Sequence, residues 1–503
     1  MSAPLLSFSG GVAWALCGRG MLRALPVLAL AAVMAAVQVP SSTAAPAPRA
    51  KNVILMIADG SGASAIAATG MYTGKLGKEI FDGPNWVKSW SSTYPLRTGT
   101  KPIPGPEGLA QNPDVVYDPA KNWDTTPVTT TTAGHFPDRF AGYAWTKRTE
   151  PDSANTMSAI VNGHKSYNGA VNVDGNGNNL PTFAEQASRA GKTVGVVTTV
   201  QISDATPAAG SGAHSASRAT RTDITAEMLN AGIVSVIMGT GNPDYDNDGK
   251  RRDMPSYRWI SEADWTALKS GTHKSGFKLI QDKADFDALP KAANPPRKLV
   301  GIARSFDSTQ ANRAGAMPAT ETPNAVPRKT DVPSLRTMAT AALNILDDDP
   351  DGMFLVIEGG AVDRAEHADN MGRMIEEKME FDDAVAAVSA YLDANTNGNN
   401  WANTLVIVTA DHDHLLLGPD SDTVPFQDLA DKGVGRVPGY KWQNDSHSNR
   451  LVPVFARGAG ANMITLCAKR RDAYTDPQGR KFGRGAYLDE TEIFAVMTGT
   501  SCR

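Results

Sequence analysis

Residues 52–60, NVILMIADG, indicate the fold class of the chain. The apolar part, 52–58, is continuous rather than alternating, which is typical of a strand buried on both faces of a sheet. Asp59 follows directly, so an acidic side chain stands just past the carboxyl end of this strand. In α/β proteins, ligands bind at that end of the sheet.

The same kind of apolar run recurs along the chain and alternates with helical patterns. The further runs are 193–200, 234–238, 298–303, 353–357, 404–409 and 451–456. The helical patterns are 180–190, 224–231, 333–346 and 371–392. Strands that alternate with helices predict a large, mostly parallel α/β sheet with helices on both faces.

Two stretches interrupt this alternation. Residues 84–150 are rich in Pro, Thr, Gly and Trp, and residues 242–297 are polar with scattered aromatic side chains. We expect both to be long insertions in a single domain, 46–503, that leave the sheet, return to it and shape a pocket. The second contains DYDNDG at 244–249, which matches the opening of a calcium-binding loop. Pro255 replaces the bidentate glutamate of such a loop, so a solvated acidic turn without metal is the alternative.

The first 45 residues have the pattern of a secretory signal peptide. Arg19 and Arg23 precede an apolar run at 25–37, and small residues follow at 42–45. A membrane anchor is the alternative, but the apolar run is short for a membrane span. We therefore expect removal of residues 1–45 and export to the periplasm or the medium, with no membrane attachment of the mature chain.

The charge of the chain narrows its partners. The formal net charge is −4, and it becomes −6 without residues 1–45, because that segment holds two arginines and no acid. A mildly acidic surface without a basic run argues against a nucleic-acid partner. An anionic substrate would therefore need local positive charge, from metal ions or from an arginine in a pocket.

Two cysteines remain outside the predicted signal peptide, Cys467 and Cys502, because Cys17 lies within it. In an exported chain, two cysteines can form one disulfide that ties down the C-terminal tail. Two free thiols are the alternative.

Side chains that bind metal ions gather just past the carboxyl ends of the predicted strands and, for His447, in the loop just before the run at 451–456. These candidates are Asp59, Glu358, Asp363, His367, Asp411, His412 and His447. Strand ends that repeatedly collect Asp, Glu and His are hard to explain as solvated loops. A spacing of four residues places Asp363 and His367 on one face of a helical turn, as for a pair of zinc ligands. A capped, exposed helix start is the other interpretation of that pair.

Ser153, in the stretch PDSANT at 151–156, is the candidate nucleophile. A helical pattern follows it, and backbone N–H groups at a helix N-terminus favour an anionic oxygen. An ordinary N-cap serine is the alternative. The chain lacks a G-x-S-x-G motif, so activation of Ser153 would depend on a metal ion.

A third stretch carries oxygen ligands and an arginine. Asp204 and Thr206 offer the hard oxygen atoms that Mg²⁺ prefers. Arg218 offers a planar guanidinium group that can bind two phosphate oxygens at once. A capped turn followed by a surface arginine would explain the same residues without a site.

Together these segments resemble the alkaline phosphatase family over roughly residues 50–500. The matching stretches are IADG at 57–60, DSA at 152–154, KSYNG at 165–169, DATPA at 204–208, HSASR at 214–218, EGGAVDRAEH at 358–367, TADH at 409–412, SH at 446–447 and VFARG at 454–458. Each motif is short, but their joint order and spacing make the match specific.

The resemblance implies a phosphate monoester hydrolase with two Zn²⁺ and one Mg²⁺, and it favours a homodimer. It implies that Ser153 becomes phosphoserine and that Arg218 binds the phosphoryl group. The ligands that it implies are Asp363, His367 and His447 for the first zinc, Asp411, His412 and Asp59 for the second, and Asp59, Thr206 and Glu358 for the magnesium, with Asp204 next to that ion.

Two features depart from the family pattern. Small residues usually follow the serine motif, whereas Asn155, Thr156 and Met157 follow Ser153 here, which makes Thr156 a rival nucleophile. Arg364 occupies a position that varies within the family, and it adds a fixed positive charge near the predicted site.

Other functions fit parts of the pattern. A sulfatase needs a C/S-x-P-x-R stretch, which the Ser153 segment lacks. A phosphodiesterase on the same fold usually has a threonine nucleophile and no arginine like Arg218. A non-catalytic, secreted protein that binds metal or phosphate would share the ligands but would need no serine at a helix start. Phosphate release from an aryl phosphate separates these alternatives.

Overall fold

The computed structural model describes residues 50–315 and 322–502. The strands are β1 (Asn52–Ile57), β2 (Val87–Ser92), β3 (Thr193–Gln201), β4 (Val236–Thr240), β5 (Lys278–Ile280), β6 (Leu299–Ile302), β7 (Met353–Glu358), β8 (Thr404–Thr409), β9 (Leu416–Leu417), β10 (Lys441–Trp442), β11 (Val452–Gly458), β12 (Arg470–Thr475) and β13 (Lys481–Asp489).

Helices connect most of these strands. They are α1 (Ala63–Thr73), α2 (Pro106–Leu109), α3 (Pro119–Asn122), α4 (Ala141–Arg148), α5 (Ser153–Asn162), α6 (Phe183–Arg189), α7 (Ala205–Ser211), α8 (Arg221–Asn230), α9 (Glu262–Ser270), α10 (Lys283–Ala288), α11 (Leu335–Leu346), α12 (Ala361–His367), α13 (Met371–Asp393), α14 (Met463–Cys467) and α15 (Thr491–Thr498).

β1 lies inside an 11-stranded sheet whose order is β12-β13-β2-β11-β8-β1-β7-β3-β4-β6-β5. It pairs in parallel with β7 and β8, and parallel pairing continues through β3, β4, β6 and β5. On the other side, β11 runs antiparallel to β8 and β2. The predicted α/β class with a mostly parallel sheet is therefore confirmed.

Alternate side chains of β1 enter hydrophobic cores on opposite faces of the sheet. Val53 and Leu55 belong to a cluster with side chains of α5, α6, α7 and α8. Ile54 and Met56 belong to another, with side chains of α11 and α13. Because helices cover both faces, β1 is buried at every residue, and its continuous apolar sequence follows from that burial.

The sheet extends further than its apolar runs indicate. β2 and β5 lie within 84–150 and 242–297, so these stretches do not leave the sheet throughout, and the expectation was wrong at these strands. β2 reads VKSWSS and is only partly buried, while β5 has three residues at the sheet edge, so neither presents an apolar run. After β2, the chain carries α2, α3 and α4 before it reaches α5.

Some sequence predictions concern residues that the structure leaves out. The predicted signal peptide, 1–45, lies outside the described residues. The assignment of 46–503 to a single domain stays a prediction. Within the described part of the chain, no helix is both long enough and apolar enough to cross a membrane.

Cys467 and Cys502 form a disulfide, with their Cα atoms 5.3 Å apart, as predicted. The bond joins the end of α14 to the tail that follows α15. α15 in turn packs against α5. The disulfide therefore closes the C-terminal part of the chain onto the core that supports α5.

The acidic loop 244–249 is held by lysines and by its own backbone. Asp246 Oδ1 accepts hydrogen bonds from two backbone N–H groups of the turn, both at 2.9 Å. Asp244 Oδ2 accepts one from Lys269 Nζ at 2.8 Å. Lys329 Nζ donates to a backbone oxygen of the loop at 2.9 Å. Donors and positive charge therefore already satisfy oxygen atoms that a calcium ion would need.

We expect calcium to leave the melting temperature of the protein unchanged. A ligand present at a hundred times its dissociation constant would add about 2.7 kcal/mol of stability, which a thermal melt detects easily. Scanning fluorimetry with and without millimolar calcium provides the test, with Asp246→Asn as the matched variant. A calcium-dependent rise in wild type that Asp246→Asn removes would contradict this prediction.

Candidate functional site

β1, β7 and β8 are neighbouring parallel strands, and they bring acidic residues to the edge of the sheet that is formed by their carboxyl ends. In the register of β1, Ile57 lies opposite Glu358 of β7 and opposite Thr409 of β8. Asp59 and Asp411 each stand two residues beyond these positions. Residues far apart in sequence therefore meet where the strands end, as predicted from the apolar runs.

A first cluster surrounds Asp363, which lies in α12. Asp363 Oδ1 is 3.3 Å from His367 Nε2, 3.4 Å from His447 Nε2 and 2.8 Å from His414 Nε2. The Nε2 atoms of His367 and His447 are 3.1 Å apart. His367 is the exposed member, so this cluster is open to solvent on one side.

A second cluster joins Asp59, Asp411 and His412. His412 Nε2 lies 3.3 Å from Asp59 Oδ1 and 3.4 Å from Asp411 Oδ2. The backbone N–H groups of Gly60 and His412 both donate to Asp411 Oδ1, at 3.0 Å. Gly60 has φ of +75°, a left-handed conformation that lets the chain turn sharply after β1.

The two clusters adjoin. The rings of His412 and His447 stack with their centroids 3.5 Å apart. His412 and His414 are buried, and their Nδ1 atoms have no hydrogen-bond partner among the described residues. In each of two sets, His and Asp atoms that could bind a metal ion lie within 4.8 Å of one another: Asp363, His412, His414 and His447, and Asp59, Asp411 and His412. His412 belongs to both sets, whereas His367, the exposed member of the first cluster, belongs to neither. Metal ions bound here would pair with buried carboxylates and imidazoles that lie close together.

Backbone groups orient the histidines of the first cluster. His367 Nδ1 lies 2.9 Å from the backbone oxygen of Asp445. His447 Nδ1 lies 2.8 Å from the backbone oxygen of Pro151. Such contacts select the tautomer in which Nε2 is free to accept a metal ion.

The first predicted insertion contributes one side chain to this region. His135 Nδ1 lies 3.3 Å from Asp445 Oδ1, and its Nε2 is 3.7 Å from Glu150 Oε1. Asp445 also holds His367 through its backbone oxygen, so His135, a residue beyond β2, lies in the neighbourhood of the first cluster.

Ser153 is the first residue of α5, and its hydroxyl faces the second cluster. Ser153 Oγ lies 3.2 Å from His412 Nε2 and 3.5 Å from Asp59 Oδ1. Asp152 is the N-cap and forms a capping box with Asn155. Because Asp152 provides the cap, Ser153 is free of that task, and the alternative interpretation of Ser153 as an ordinary N-cap fails.

Thr156, the rival nucleophile, is held within the helix. Its hydroxyl donates to the backbone oxygen of Asp152 at 3.0 Å and lies 3.5 Å from Asp411 Oδ2. Ser153 therefore has the closer approach to a histidine of the clusters.

Two carboxylates hold the two terminal nitrogen atoms of the Arg218 guanidinium. Its Nη1 donates to Asp152 Oδ2 at 3.1 Å, and its Nη2 donates to Asp204 Oδ1 at 2.8 Å. The side chain is 23% exposed, so it lines the surface of the site rather than projecting into solvent. The alternative of an unattached surface arginine is excluded.

Asp204 collects three guanidinium groups. Besides Arg218, it accepts from Arg221 Nη1 at 2.7 Å and from Arg364. Burial alone would raise the pKa of Asp204, but the charges of Arg364, Arg221 and Arg218 outweigh burial and hold it below its usual range. Asp204 also caps α7, since its Oδ1 accepts from Ala205 N at 2.8 Å.

Thr206 and Glu358 supply oxygen atoms next to Asp204. Thr206 Oγ1 and Glu358 Oε1 are buried and lack a hydrogen-bond partner among the described residues. The other oxygen of Glu358 accepts from Thr198 of β3. Two orphaned oxygens at the edge of the sheet suit a hard cation.

The carboxylates at this edge repel one another. Burial, followed by the charges of Asp411 and Asp363, raises the pKa of Asp59 well above its usual range. Burial raises the pKa of Glu358 to about 8. Burial would also raise the pKa of Asp363, but the nearby His367 and other histidines lower it well below its usual range. Cations bound here would relieve the repulsion.

Three residues of the site escaped the sequence analysis. His414 completes the first cluster, and its signal was the alternation Asp411-His412-Asp413-His414 after β8. Arg221 lies three residues beyond Arg218 and is the first residue of α8. Asp152 was noted only as part of the serine motif, although it both caps α5 and holds Arg218.

The sequence model of the alkaline phosphatase family matches residues 120–427. Alkaline phosphatase of Escherichia coli (strain K12) is 28% identical over 369 residues, which cover 67% of this chain and 76% of that protein. The tissue-nonspecific alkaline phosphatase of Rattus norvegicus is 27% identical over 389 residues, which cover 62% of this chain and 70% of the relative.

Solved structures share the fold. The cold-active alkaline phosphatase of Shewanella sp. superposes with a TM-score of 0.57 and 20% identity, and covers 89% of this chain and 98% of its own. Thermus thermophilus alkaline phosphatase gives a TM-score of 0.58 at 17% identity, with coverage of 90% and 91%.

Proposed function

This chain belongs to the alkaline phosphatase family and is a phosphoric monoester hydrolase, and we propose that it works through a phosphoserine at Ser153 with two Zn²⁺ and one Mg²⁺. The observation that carries the proposal is the hydroxyl of Ser153, which starts a helix and faces His412 and Asp59 of the second ligand cluster. No equivalent position is needed in a protein that only binds metal or phosphate.

The donor sets support this division of metals. Imidazole and carboxylate ligands suit zinc, and they are found in two sets: Asp363, His367 and His447 for the first ion, and Asp59, Asp411 and His412 for the second. Thr206 and Glu358, with Asp59, offer oxygen alone, which suits magnesium. In a solved variant of the alkaline phosphatase from the Antarctic bacterium TAB5, which shares the fold, magnesium is bound in a site called M3.

Asp204 serves this site without binding a metal ion directly. Its oxygens already accept hydrogen bonds from three arginines and from the N-terminus of α7. It therefore orients Arg218 and adds negative charge next to the oxygen ligands.

When bound, the ions supply positive charge that favours the Ser153 alkoxide and stabilises the charge on the oxygen that departs. Ser153 Oγ gives up its proton and attacks phosphorus, the bond between phosphorus and the ester oxygen breaks, and that oxygen takes up a proton and leaves as the alcohol. Water then attacks phosphorus, the bond to Ser153 Oγ breaks, and a proton of the water returns to Ser153 as inorganic phosphate is released. The N-terminal N–H groups of α5 face the phosphoryl group and stabilise its negative charge throughout.

Arg218 binds the phosphoryl oxygens in two-pronged fashion. Its guanidinium is preorganised by Asp152 and Asp204, so little reorganisation is needed when the phosphoryl group arrives. Arg364 shares Asp204 with it and adds a second cation beside the phosphoryl site.

The mature enzyme acts outside the cytoplasm, in the periplasm or the medium, and forms a homodimer. The disulfide between Cys467 and Cys502 supports an oxidising compartment. Its substrates are phosphate monoesters, and nucleic acid and membranes are not partners.

Ser153→Ala should lower kcat at least about 10³-fold, because the nucleophile is lost while binding groups remain. Acid quenching with labelled aryl phosphate should trap label on Ser153 in wild type and none in the variant, with metal content unchanged in both. Thr156→Val is the matched control and should keep the label. Label on Thr156 in the wild-type protein would refute the assignment.

Arg218→Ala should lower kcat/KM about 10²–10³-fold, which is the cost of removing one preorganised donor. Arg218→Lys should recover little, because an ammonium group cannot make the two-pronged contact. Arg221→Ala keeps Asp152 and Arg218 in contact, so its loss should be smaller. Equal losses for Arg218→Ala and Arg221→Ala in steady-state assays would count against direct phosphate binding by Arg218.

Glu358→Gln should lose magnesium and keep zinc, and excess magnesium should restore part of its activity. His412→Ala and Asp363→Ala should lose zinc, and magnesium alone should not rescue them, because their ligand sets need nitrogen or shared carboxylates. Elemental analysis of the three purified variants is the measurement. Full magnesium content in Glu358→Gln would show that the ligands are wrongly assigned.

A further inference from the structure

Two arginines pack on the same tryptophan and have no acceptor. Arg450 lies three residues after His447 and is only 5% exposed, and Arg484 lies in β13. The Arg450 guanidinium carbon is 5.1 Å from the ring centroid of Trp123, and that of Arg484 is 5.7 Å from the same centroid. Across residues 50–315 and 322–502, neither guanidinium forms a hydrogen bond or an ion pair.

Arg450 is buried and Arg484 is partly buried, and an arginine so placed usually has an acceptor. Charged side chains that leave water normally gain a carboxylate or several carbonyl oxygens, because burial of an unpaired charge is costly. Burial, and next the charge of Arg450, lowers the pKa of Arg484. Asp413 and Asp428 attract Arg484 but remain too distant for an ion pair. Contacts with aromatic rings compensate only in part.

A cavity of about 450 Å³ opens beside Arg484. Its walls are largely apolar and include Trp90, Ile66 and Phe455. The Arg484 guanidinium lies 4.9 Å from the Trp90 ring centroid. The predicted metal ligands and Ser153 do not line this cavity, so it is separate from the site at the edge of the sheet.

A second cation at the cavity is already neutralised. Lys88 Nζ donates to Asp82 Oδ1 at 3.0 Å and to the backbone oxygen of Asp82 at 2.9 Å. Among the described residues that line the cavity, Arg484 is therefore the cation without an ion-pair partner. The single guanidinium of Arg484 can pair with one carboxylate, and the apolar walls can contact a hydrocarbon part of the same molecule. A phosphate dianion would need further hydrogen-bond donors.

We propose that this cavity binds a small amphipathic carboxylate, with its carboxylate on Arg484 and its apolar part between Trp90, Ile66 and Phe455. Arg450, which packs on Trp123 close enough to act on Arg484, adds positive charge to the region. The volume fits a molecule of the size that ordinary ligand pockets accept.

The test uses the intact, metal-replete enzyme and 4-phenylbutyrate as the probe. Isothermal titration calorimetry should show binding to wild type, and the neutral 4-phenylbutyramide should bind at least about tenfold more weakly, because the charge on the ligand supplies the preference. Arg484→Gln should remove this tenfold preference. Arg471→Gln, an exposed arginine of β12, is the matched control and should leave it intact.

Arg450→Gln provides an independent variant should Arg484→Gln fold poorly. It should weaken binding of 4-phenylbutyrate severalfold and leave binding of the amide unchanged. A preference for the carboxylate that survives Arg484→Gln would place the probe at the metal ions and overturn the proposal. Sulfate that raises the melting temperature as much as 4-phenylbutyrate, in an Arg484-dependent way, would overturn the amphipathic assignment.

Discussion

Five carboxylates lie buried at one edge of the central sheet, and their mutual repulsion governs how this edge is built. They are Asp59, Asp204, Glu358, Asp363 and Asp411. The protein neutralises Asp204 with arginines and Asp363 with histidines, but burial and repulsion raise the pKa of the other three. Divalent cations would relieve the repulsion between these carboxylates, since one ion can pair with several of them at once. Metal affinity and the stability of this edge are therefore linked.

Asp204 and a further carboxylate, Asp152, connect separate parts of the candidate site. Asp152 caps α5 with one oxygen and holds Arg218 with the other, so the same side chain positions the helix that begins at Ser153 and the guanidinium of Arg218. Asp204 joins Arg218 to the start of α7. A change at either residue would disturb more than one function, since residues of a shared network do not act additively.

The interior of the fold follows from local sequence. All seven apolar runs contain strands, because a strand that is buried on both faces must be apolar throughout. β2, β12 and β13 lie at the end of the strand order opposite to β5. They are partly exposed and carry polar side chains, so their sequences do not form apolar runs. Their pairing with the rest of the sheet depends on contacts between residues far apart in the sequence, which a short stretch of sequence does not reveal.

The candidate site also contains residues that the sequence predicts and residues that it does not. Ligands at strand ends could be predicted because parallel topology brings carboxyl ends together, as for Asp59 and Asp411. His414 and Arg221 were missed, since their contacts with Asp363 and Asp204 depend on side-chain directions that only the folded chain shows. The paired arginines Arg450 and Arg484 stand 34 residues apart in separate segments, and only the folded chain brings both onto Trp123.

The disulfide has a consequence for timing. α15 rests on α5, and the bond from Cys467 to Cys502 fastens the tail beyond α15. In a reducing cytosol both thiols stay free, so only noncovalent contacts, including the ion pair of Arg470 with Glu492, keep this last helix in place. In an exported chain, the bond forms outside the reducing cytosol, and the contact of α15 with α5, the helix that begins at Ser153, gains covalent support there.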